Sequence, residues 1–583
     1  MILHQPVFKE LATLIVSALD RALEGHGLGL EEVYKMLGEP PNLAMGHIAF
    51  PCFTLAKAAR KGPPQIAGMI LEKLEKSELV SEAKVQGPYL NFTLNIKSIG
   101  EKVLSTMITG EFFTQKLTAN DQKMMIEYSQ PNTHKILHVG HMRNLCLGNA
   151  LIRMLRYTGH DVLAVTYPGD VGTHVAKCLW YLKFHNNEAI PNENKGAWLG
   201  KLYTLANAKL EDELGSSAED NNRAQLTLIL KELHDGKGEF FDLWQETRKW
   251  SIELMKQAYD WADVKFDRWF WESEVDAPSL KYVSELYEQG KLVKDQGAVG
   301  MDLSQDNLGF CLLIKSDGTG LYATKDVELA RKKFEEFGVD HSIYIVDNRQ
   351  SYHFKQVFKV LEKLGFKNAH NCFHLQYDVV ELPDGAMSSR KGNIVPLMTL
   401  IDSMQAQIKE KYLVKYQGDW SDEEIESTAR DIAAGAIKYG MIRVDNNRKI
   451  VFDLKEWLAL DGETGPYLQY VCARINSLCN RLGPVKSDVQ WEQLIKNEEI
   501  ELALKLQRFN DVALAAAENF KTMSLTSYLY ELGKLFNAFY ANCEIGSAKS
   551  EALKETRLAL AAATGKAMRT GLEIIGIHAP ERM

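Results

Sequence analysis

"KMMIEYSQPNTHKILHVGHMRN", residues 123–144, is the stretch on which the reading of this chain turns. It opens on a short apolar run of strand type, Lys123–Ser129. Pro131 then interrupts the chain, and a helical pattern runs from about His138 to Tyr157, closed by Gly159. "DVLAVTYPGD", 161–170, is a second strand ending in a glycine-containing loop. Strand, loop, helix and strand in this order form a βαβ unit, which predicts a parallel sheet. Three histidines, His134, His138 and His141, recur at spacings of four and three, so one helix would carry them on one face. They could bind a metal, belong to a helix core, or handle phosphate. Zinc would need an acidic or cysteine ligand at suitable spacing; none is nearby and no HExxH occurs. Pro131 also takes His134 off the helix. For a lone histidine at a helix start, a capped or solvated side chain is the default. Two features lift His138 and His141 above it. They stand where a strand's carboxyl end meets a helix N-terminus, the edge at which open α/β sheets bind ligands and unpaired amides attract phosphate. Gly140 between them lets a base or sugar approach the backbone.

The same style of reading extends outward. "HSIYIVD" (341–347) and "NCFHLQYDVV" (371–380) are further strands. Between them and the βαβ unit, about 175 to 320 reads as a largely helical insertion, ending in the hairpin-like "FCLLIKSDGTGLYATKD" with its Asp317-Gly318 turn. Residues 1–115 mix helices with the short strand "GPYLNFTLNI" and predict an α+β domain. A Rossmann-like α/β catalytic domain is expected over 116–395, a helical connector over 396–455, and an all-α bundle over 456–583. The fold class is thus multidomain, as a chain of 583 residues requires, since one core does not grow so large.

Composition narrows the class. Hydrophobic residues are 45% and charged residues 25%, the balance of an ordinary globular protein. No apolar run reaches the ~18–20 residues that span a bilayer, so no membrane partner is expected. "MILHQPVFKELATLI" lacks a secretory pattern, and eight scattered cysteines without a CxxC pair suit the cytoplasm. A net charge of -9 argues against a small basic nucleic-acid-binding domain, but not against a large enzyme with a local basic surface.

"HVGH" resembles the HIGH signature of class I aminoacyl-tRNA synthetases, and "EYSQPNTHKILHVGHMRN" resembles the arginyl-tRNA synthetases in particular. The family block Pro-Asn-x-x-Lys-x-x-His-x-Gly-His is matched at Pro131, Asn132, Lys135, His138, Gly140 and His141. "YPGDVGTH" resembles the family's Gly-Asp-Trp-Gly loop, with Val171 in place of tryptophan. "GLYATKDVELA", "YIVDNRQSYHFKQVF", "GETGPYLQYVCARI" and the closing "LEIIGIHAPERM" follow the family along the chain. "ELPDGAMSSRKGN" resembles a KMSKS signature in which Ala386 and Ser389 replace both lysines while Met387 and Ser388 match. His47 stands where the family often has an acidic residue.

The resemblance implies a two-step reaction. Arginine attacks the α-phosphate of ATP to form arginyl-adenylate, and a terminal ribose hydroxyl of tRNA(Arg) then takes the arginine. It implies Lys135, His138, His141 and Lys391 as catalytic, with Lys135 compensating for the degenerate signature. Gly140, Gly169, Gly172, His353, Met387 and Ser388 join the two signature histidines around ATP. Glu127, Ser129, Asn132, Tyr322, Asp326 and Gln350 are implied for arginine, whose planar guanidinium is best matched by carboxylates. On the residues alone, Glu127 reads as an exposed strand-end charge and Asp326 as a helix N-cap, and His353 reads equally as a half-buried histidine on an amphipathic helix. Asn91 and Phe92, and Asn537 and Tyr540, are expected tRNA contacts. Magnesium is expected with ATP, without a tightly held protein-ligated metal, in a monomer that needs bound tRNA to activate arginine. A cysteine- or glutamate-specific synthetase would want zinc ligands or basic pocket residues instead. A non-catalytic tRNA-binding paralogue would show broken signatures.

Overall fold

The computed structural model describes residues 4–23, 25–381, 395–486 and 488–583. The chain divides into two compact units, one of residues 1–120, 157–159 and 459–583, the other of 121–156 and 160–458.

In the first unit an amphipathic helix, Pro6–Ala22, buries Phe8, Leu11, Ile15 and Leu19, and Gln5 caps it by accepting from the Phe8 amide. An antiparallel sheet follows, of β1 (Ile48–Pro51), β2 (Val80–Gln86) and β3 (Tyr89–Leu94) in the order β1–β3–β2. The carboxyl-terminal part is helical, with Gly465–Leu482, Asn497–Gln507, Phe509–Glu518, Thr522–Asn542 and Glu551–Ile574. Thr522–Asn542 buries Leu525, Leu529, Leu532, Phe536 and Phe539, a helical stripe that accounts for most of its aromatic run.

The second unit holds the parallel sheet. Its strands are β4 (Lys123–Glu127), β5 (Asp161–Thr166), β6 (Arg268–Trp269), then, beyond a separate three-stranded sheet of β7 (Val293–Asp295), β8 (Ala298–Asp302) and β9 (Phe310–Ile314), β10 (His341–Asp347) and β11 (Cys372–Tyr377). The order is β11–β10–β4–β5–β6 and every pairing is parallel. Order reverses between β4 and β10, so a crevice opens at their carboxyl ends. The helix Val139–Tyr157 returns the chain from β4 to β5. It lies close on the residue after β4, because a Cβ on Gly148 would meet the Tyr128 ring at 2.2 Å.

The expected hairpin near 310–326 is resolved differently. The turn exists, with Gly318 at φ +83° and Asp317 accepting from the Thr319 amide. Its second arm is a single bridge between Ile314 and Gly320, after which the helix Tyr322–Phe337 begins. The true partner of β9 is β8, upstream. The inserted region carries four helices between β5 and β6: Thr173–Phe184, Lys195–Asp212, Glu219–Asp235 and Glu239–Ala262.

Candidate active site

A cavity of about 490 Å³ occupies the crevice at the carboxyl edge of the sheet, within the usual size for a small-molecule site. Strand ends and the loops after them build it. β4 supplies Glu127 and the loop to Asn132, β5 Tyr167 and Gly169, β10 Asp347 and Gln350, and β11 Tyr377. Tyr322 and Asp326 enter from the helix Tyr322–Phe337, one turn apart, and His353 from the helix Ser351–Lys363. Nine of the residues nominated from the sequence meet here: Glu127, Ser129, Asn132, His141, Gly169, Tyr322, Asp326, Gln350 and His353. Lys135 and Gly172 line a neighbouring cavity of about 510 Å³ that shares Asn132, Glu272, Tyr322 and Lys325 with the first.

The loop after β4 is held by its own polar groups. Ser129 sits at φ +54°, its amide donating to Asn144 Oδ1 at 2.6 Å and its hydroxyl bonded to Tyr259 Oη at 3.1 Å. That hydroxyl is therefore spent on shaping the turn. Gly169 is tied into the same loop: its amide donates to the Pro131 carbonyl and its carbonyl accepts from the Thr133 amide. A Cβ there would meet Asn132 Oδ1 at 2.4 Å, so the glycine is required by the approach of Asn132. Asp170 is fully buried and accepts from Arg248, the Ser273 amide and the Ser273 hydroxyl, fixing the loop after β5.

His138 and His141 begin the helix Val139–Tyr157, with ring centroids 4.0 Å apart. Nδ1 of His138 accepts from the Gly140 amide, and Nδ1 of His141 from the His138 amide, each at 3.1 Å. An imidazole whose Nδ1 accepts carries its neutral-form proton on Nε2. Burial, then the Lys135 charge, pulls His138 down to about 4. Burial, then His138 and Lys135, holds His141 well below its ordinary value. Both are thus neutral Nε2–H donors at neutral pH. His134 shares no face with them: it is fully buried at φ +60°, bonded to Thr133 and Thr247. Among the described residues no three His, Cys, Asp or Glu side chains converge as metal ligands.

Among the described residues four carboxylates line the cavity, and each has a basic partner. Glu127 pairs with the wholly buried Lys333 at 2.6 Å, whose ammonium also lies 3.8 Å over the Tyr344 ring. Glu272 pairs with Lys325 at 2.7 Å, Asp347 with Arg349 at 2.6 Å, and Asp326 with His353 Nε2 at 2.5 Å. Glu127 is therefore a buried group and Asp326 an ion-paired one, rather than an exposed strand-end charge and an N-cap. His353, assigned by resemblance to the ATP set, is bonded to an arginine-set residue.

Three features escaped sequence reasoning. Tyr167 lines the cavity, and its buried hydroxyl has no hydrogen-bond partner among the described residues. Lys333 stands 206 positions from Glu127. Arg143 spends its guanidinium on the carbonyls of Asp378, Asp445, Asn446 and Arg448, holding two loops beside the signature helix.

Met387, Ser388 and Lys391, with Ala386, Ser389 and Arg390, lie outside the described residues. Downstream of them Pro396 bridges His138, and the Leu397 amide donates to the Leu137 carbonyl at 2.9 Å.

In the other unit, Phe92 is fully buried and cannot stack on a base. Asn91 is nearly so, its amide donating to Met45 and Gln86. Near that sheet Phe53 and Tyr89 are exposed, edge to face at 6.0 Å. Asn537 is engaged internally with Arg474 and Tyr467. Tyr540 is partly exposed, with the Arg474 guanidinium 5.5 Å over its ring. His47 is buried, its Nδ1 accepting from the Leu94 amide.

Comparison with known proteins gives one consistent result. Residues 102–454 match the family described as tRNA synthetases class I (R), catalytic domain; residues 468–583 match the DALR anticodon binding domain; residues 9–94 match the arginyl tRNA synthetase N terminal domain. The arginine–tRNA ligase of Bdellovibrio bacteriovorus is 51% identical over the whole of both chains. That of Clostridium perfringens is 34% identical, over 97% of this chain and 99% of its own. The solved arginyl-tRNA synthetase of Thermus thermophilus superposes with a TM-score of 0.81 at 27% identity, covering 99% of this chain and 100% of the other.

Proposed function

The chain belongs to the class I arginyl-tRNA synthetase family, and from that premise we propose how its cavity performs the family's reaction. The enzyme is an arginine–tRNA ligase: it joins arginine to tRNA at the expense of ATP. The observation that carries the reading is the pair of neutral Nε2–H donors at a helix N-terminus, beside a cavity ringed by carboxylates.

His138 and His141 donate to the oxygens of the α-phosphate as the arginine carboxylate attacks it. Fixed neutral donors stabilise the developing charge without reorganising. Lys135 attracts the leaving pyrophosphate, assisted by Lys391, and Gly140, Gly172, Met387 and Ser388 complete the ATP site. Asp326, Tyr322 and Glu127 face the guanidinium, while Asn132 and Gln350 hold the α-amino and carboxylate groups. Tyr167 joins this set, its hydroxyl left for a substrate N–H. Ser129 and Gly169 act by shaping the loop that presents Asn132. Magnesium enters with the ATP phosphates. For tRNA, Tyr540 under Arg474 offers a stacking platform in the helical domain. In the amino-terminal domain Tyr89 and Phe53 take the role that buried Phe92 cannot. A cytoplasmic monomer that activates arginine only with tRNA bound follows the family's habit.

Charging of bulk tRNA, with each labelled amino acid separately, tests the reading. Attachment of arginine alone is expected, and attachment of another amino acid would overturn the carboxylate pocket. Arginine-dependent ATP–pyrophosphate exchange is expected only when tRNA is added. Light scattering should report a monomer.

A further inference from the structure

We propose that His353 keeps the guanidinium's place on Asp326 in the empty cavity, and that arginine binding displaces it and expels its proton. The inference rests on the reading that this cavity binds arginine through Asp326.

The argument begins with charge. Arginine brings a guanidinium into a cavity whose four carboxylates are already paired. Lys333 on Glu127 is wholly buried and has nowhere to go. Lys325 bridges Glu272 and Asp276, at 2.7 and 2.9 Å, and is 13% exposed. Arg349 on Asp347 is 73% exposed, on the rim. Burial opposes the charge of Lys325, but Glu272 and Asp276 outweigh it, and the hydrogen bond to Asp347 raises Arg349 above its ordinary value, so neither yields by losing a proton. Among the described residues, His353 is the one partner of a cavity carboxylate that can yield by losing its charge. A guanidinium fork engages both oxygens of a carboxylate, and here Oδ2 of Asp326 is held by His353 Nε2 at 2.5 Å. Two cations cannot share that oxygen cheaply, so the imidazole must give up its contact and its proton.

The titratable groups that share the cavity with His353, or lie beside it, come from every wall. From the helix Tyr322–Phe337 come Tyr322, Lys325 and Asp326; from β10, Asp347; from β11, Tyr377 and His374; from the neighbouring wall, Glu127 and Glu272. His374 is held by the Val346 carbonyl and stacked on Phe354, and burial pulls it below its ordinary value, so it adds no charge. Burial opposes the charged form of His353, but the hydrogen bond and charge of Asp326 outweigh it and raise the imidazole above its ordinary value. In the complex that partner is taken and a guanidinium added, so the same imidazole falls. Between those two values each arginine bound releases one proton. There the dissociation constant rises up to tenfold for each unit the pH falls. Above the free-enzyme value binding is independent of pH. While His353 is an imidazolium, a neutral isostere such as citrulline offers Asp326 no charge in exchange and is disfavoured on that account, which makes His353 a specificity-determining residue below its free-enzyme value.

The test is calorimetric titration of arginine into the full-length enzyme saturated with deacylated tRNA, without ATP. It is run between pH 6 and 8.5 in phosphate and in Tris, whose ionisation enthalpies differ. Close to one proton released per arginine at the acid end, falling to none at the alkaline end, is expected. The variant His353→Gln should bind arginine with neither release nor pH dependence. No release from the parent at any pH, with Asp326→Asn abolishing binding, would overturn the displacement and leave the arginine site intact. Undiminished release from His353→Gln would overturn it as well. Parent-like affinity in a folded Asp326→Asn would overturn the reading of the site, and the displacement with it.

Discussion

Lys333→Met should destabilise the sheet-bearing unit severely, and arginine should partly mend it. Lys333 is 0% and Glu127 5% exposed in their side chains, and the ammonium meets the carboxylate at 2.6 Å. Methionine preserves the aliphatic stem and its place against Tyr344. It leaves Glu127 as a buried charge whose remaining side-chain bond, among the described residues, is from the Gln130 amide at 3.2 Å. Breaking one side of a buried pair costs about 3–5 kcal/mol, because the other charge stays buried without compensation. An unfolding entropy of about 2.1 cal/mol/K per residue, over a unit the size of residues 121–458, converts that to about 4–7 °C in melting temperature. Differential scanning fluorimetry measures it. Adding Glu127→Gln to Lys333→Met should recover most of the loss, since the orphaned charge is gone. Saturating arginine should raise the melting temperature of Lys333→Met more than that of the parent, by placing a cation near Glu127. A single variant melting within about 1 °C of the parent would refute the assignment of this pair as a buried charge couple.

The remaining predictions are narrower. Tyr167→Phe should raise the arginine KM by about tenfold or more with kcat nearly unchanged, the mark of a lost hydrogen bond to a charged ligand; because it removes a buried unpartnered hydroxyl, its melting temperature should not fall. Gly169→Ala should cut pyrophosphate exchange at least tenfold while the protein stays folded, since the new methyl displaces Asn132; a fully active variant would show that Asn132 has room to move. Acid should destabilise the fold early. Burial pulls His134 and His174 to about 3 and His138 to about 4, against an ordinary value near 6.5. The unfolded chain therefore takes up protons that the folded one refuses. Stability is intact above about pH 6.5 and is lost as the pH falls toward 4, at up to about 1.4 kcal/mol per pH unit for each histidine. Urea titrations at pH 7.5 and 5.5 measure it.

Much of the sheet was legible because its strands are local objects. "HSIYIVD" has an apolar run, Ile343–Val346, at its centre and becomes β10 with the expected bounds, His341–Asp347. The signature helix ends at Tyr157 as its pattern suggests. The hairpin at 310–326 misled because its turn chemistry is real. Asp317 and Gly318 do turn the chain, but a turn signal does not say whether a strand or a helix follows. Here the hydroxyl of Thr324 bonds the Leu313 carbonyl and accepts from the Leu321 amide, closing a helix start where a second strand was expected. Phe92 misled for a related reason. The resemblance marks the strand but not which of its faces is wet: Leu90, Asn91 and Phe92 are all buried, and the exposed ring is Tyr89 at the strand's start.

The site was legible residue by residue but not as a circuit. The block from Pro131 to His141 announces its chemistry in one local run. The pairings that set the charge of the cavity join Glu127 to Lys333 and Asp326 to His353, across 206 and 27 positions. Neither spacing carries a signal, because one pair joins a strand end to a distant helix and the other joins two successive helices on either side of β10. A carboxylate read alone invites a guanidinium directly. Read with its resident cation, it invites an exchange, and an exchange can be selective where attraction alone is not. Any cation is drawn to a lone aspartate; displacing the histidine requires a ligand that stays charged where imidazole does not and that engages both oxygens at once. Lysine meets only the first demand and citrulline, a fork without the charge, only the second, so the Asp326–His353 pair asks for both.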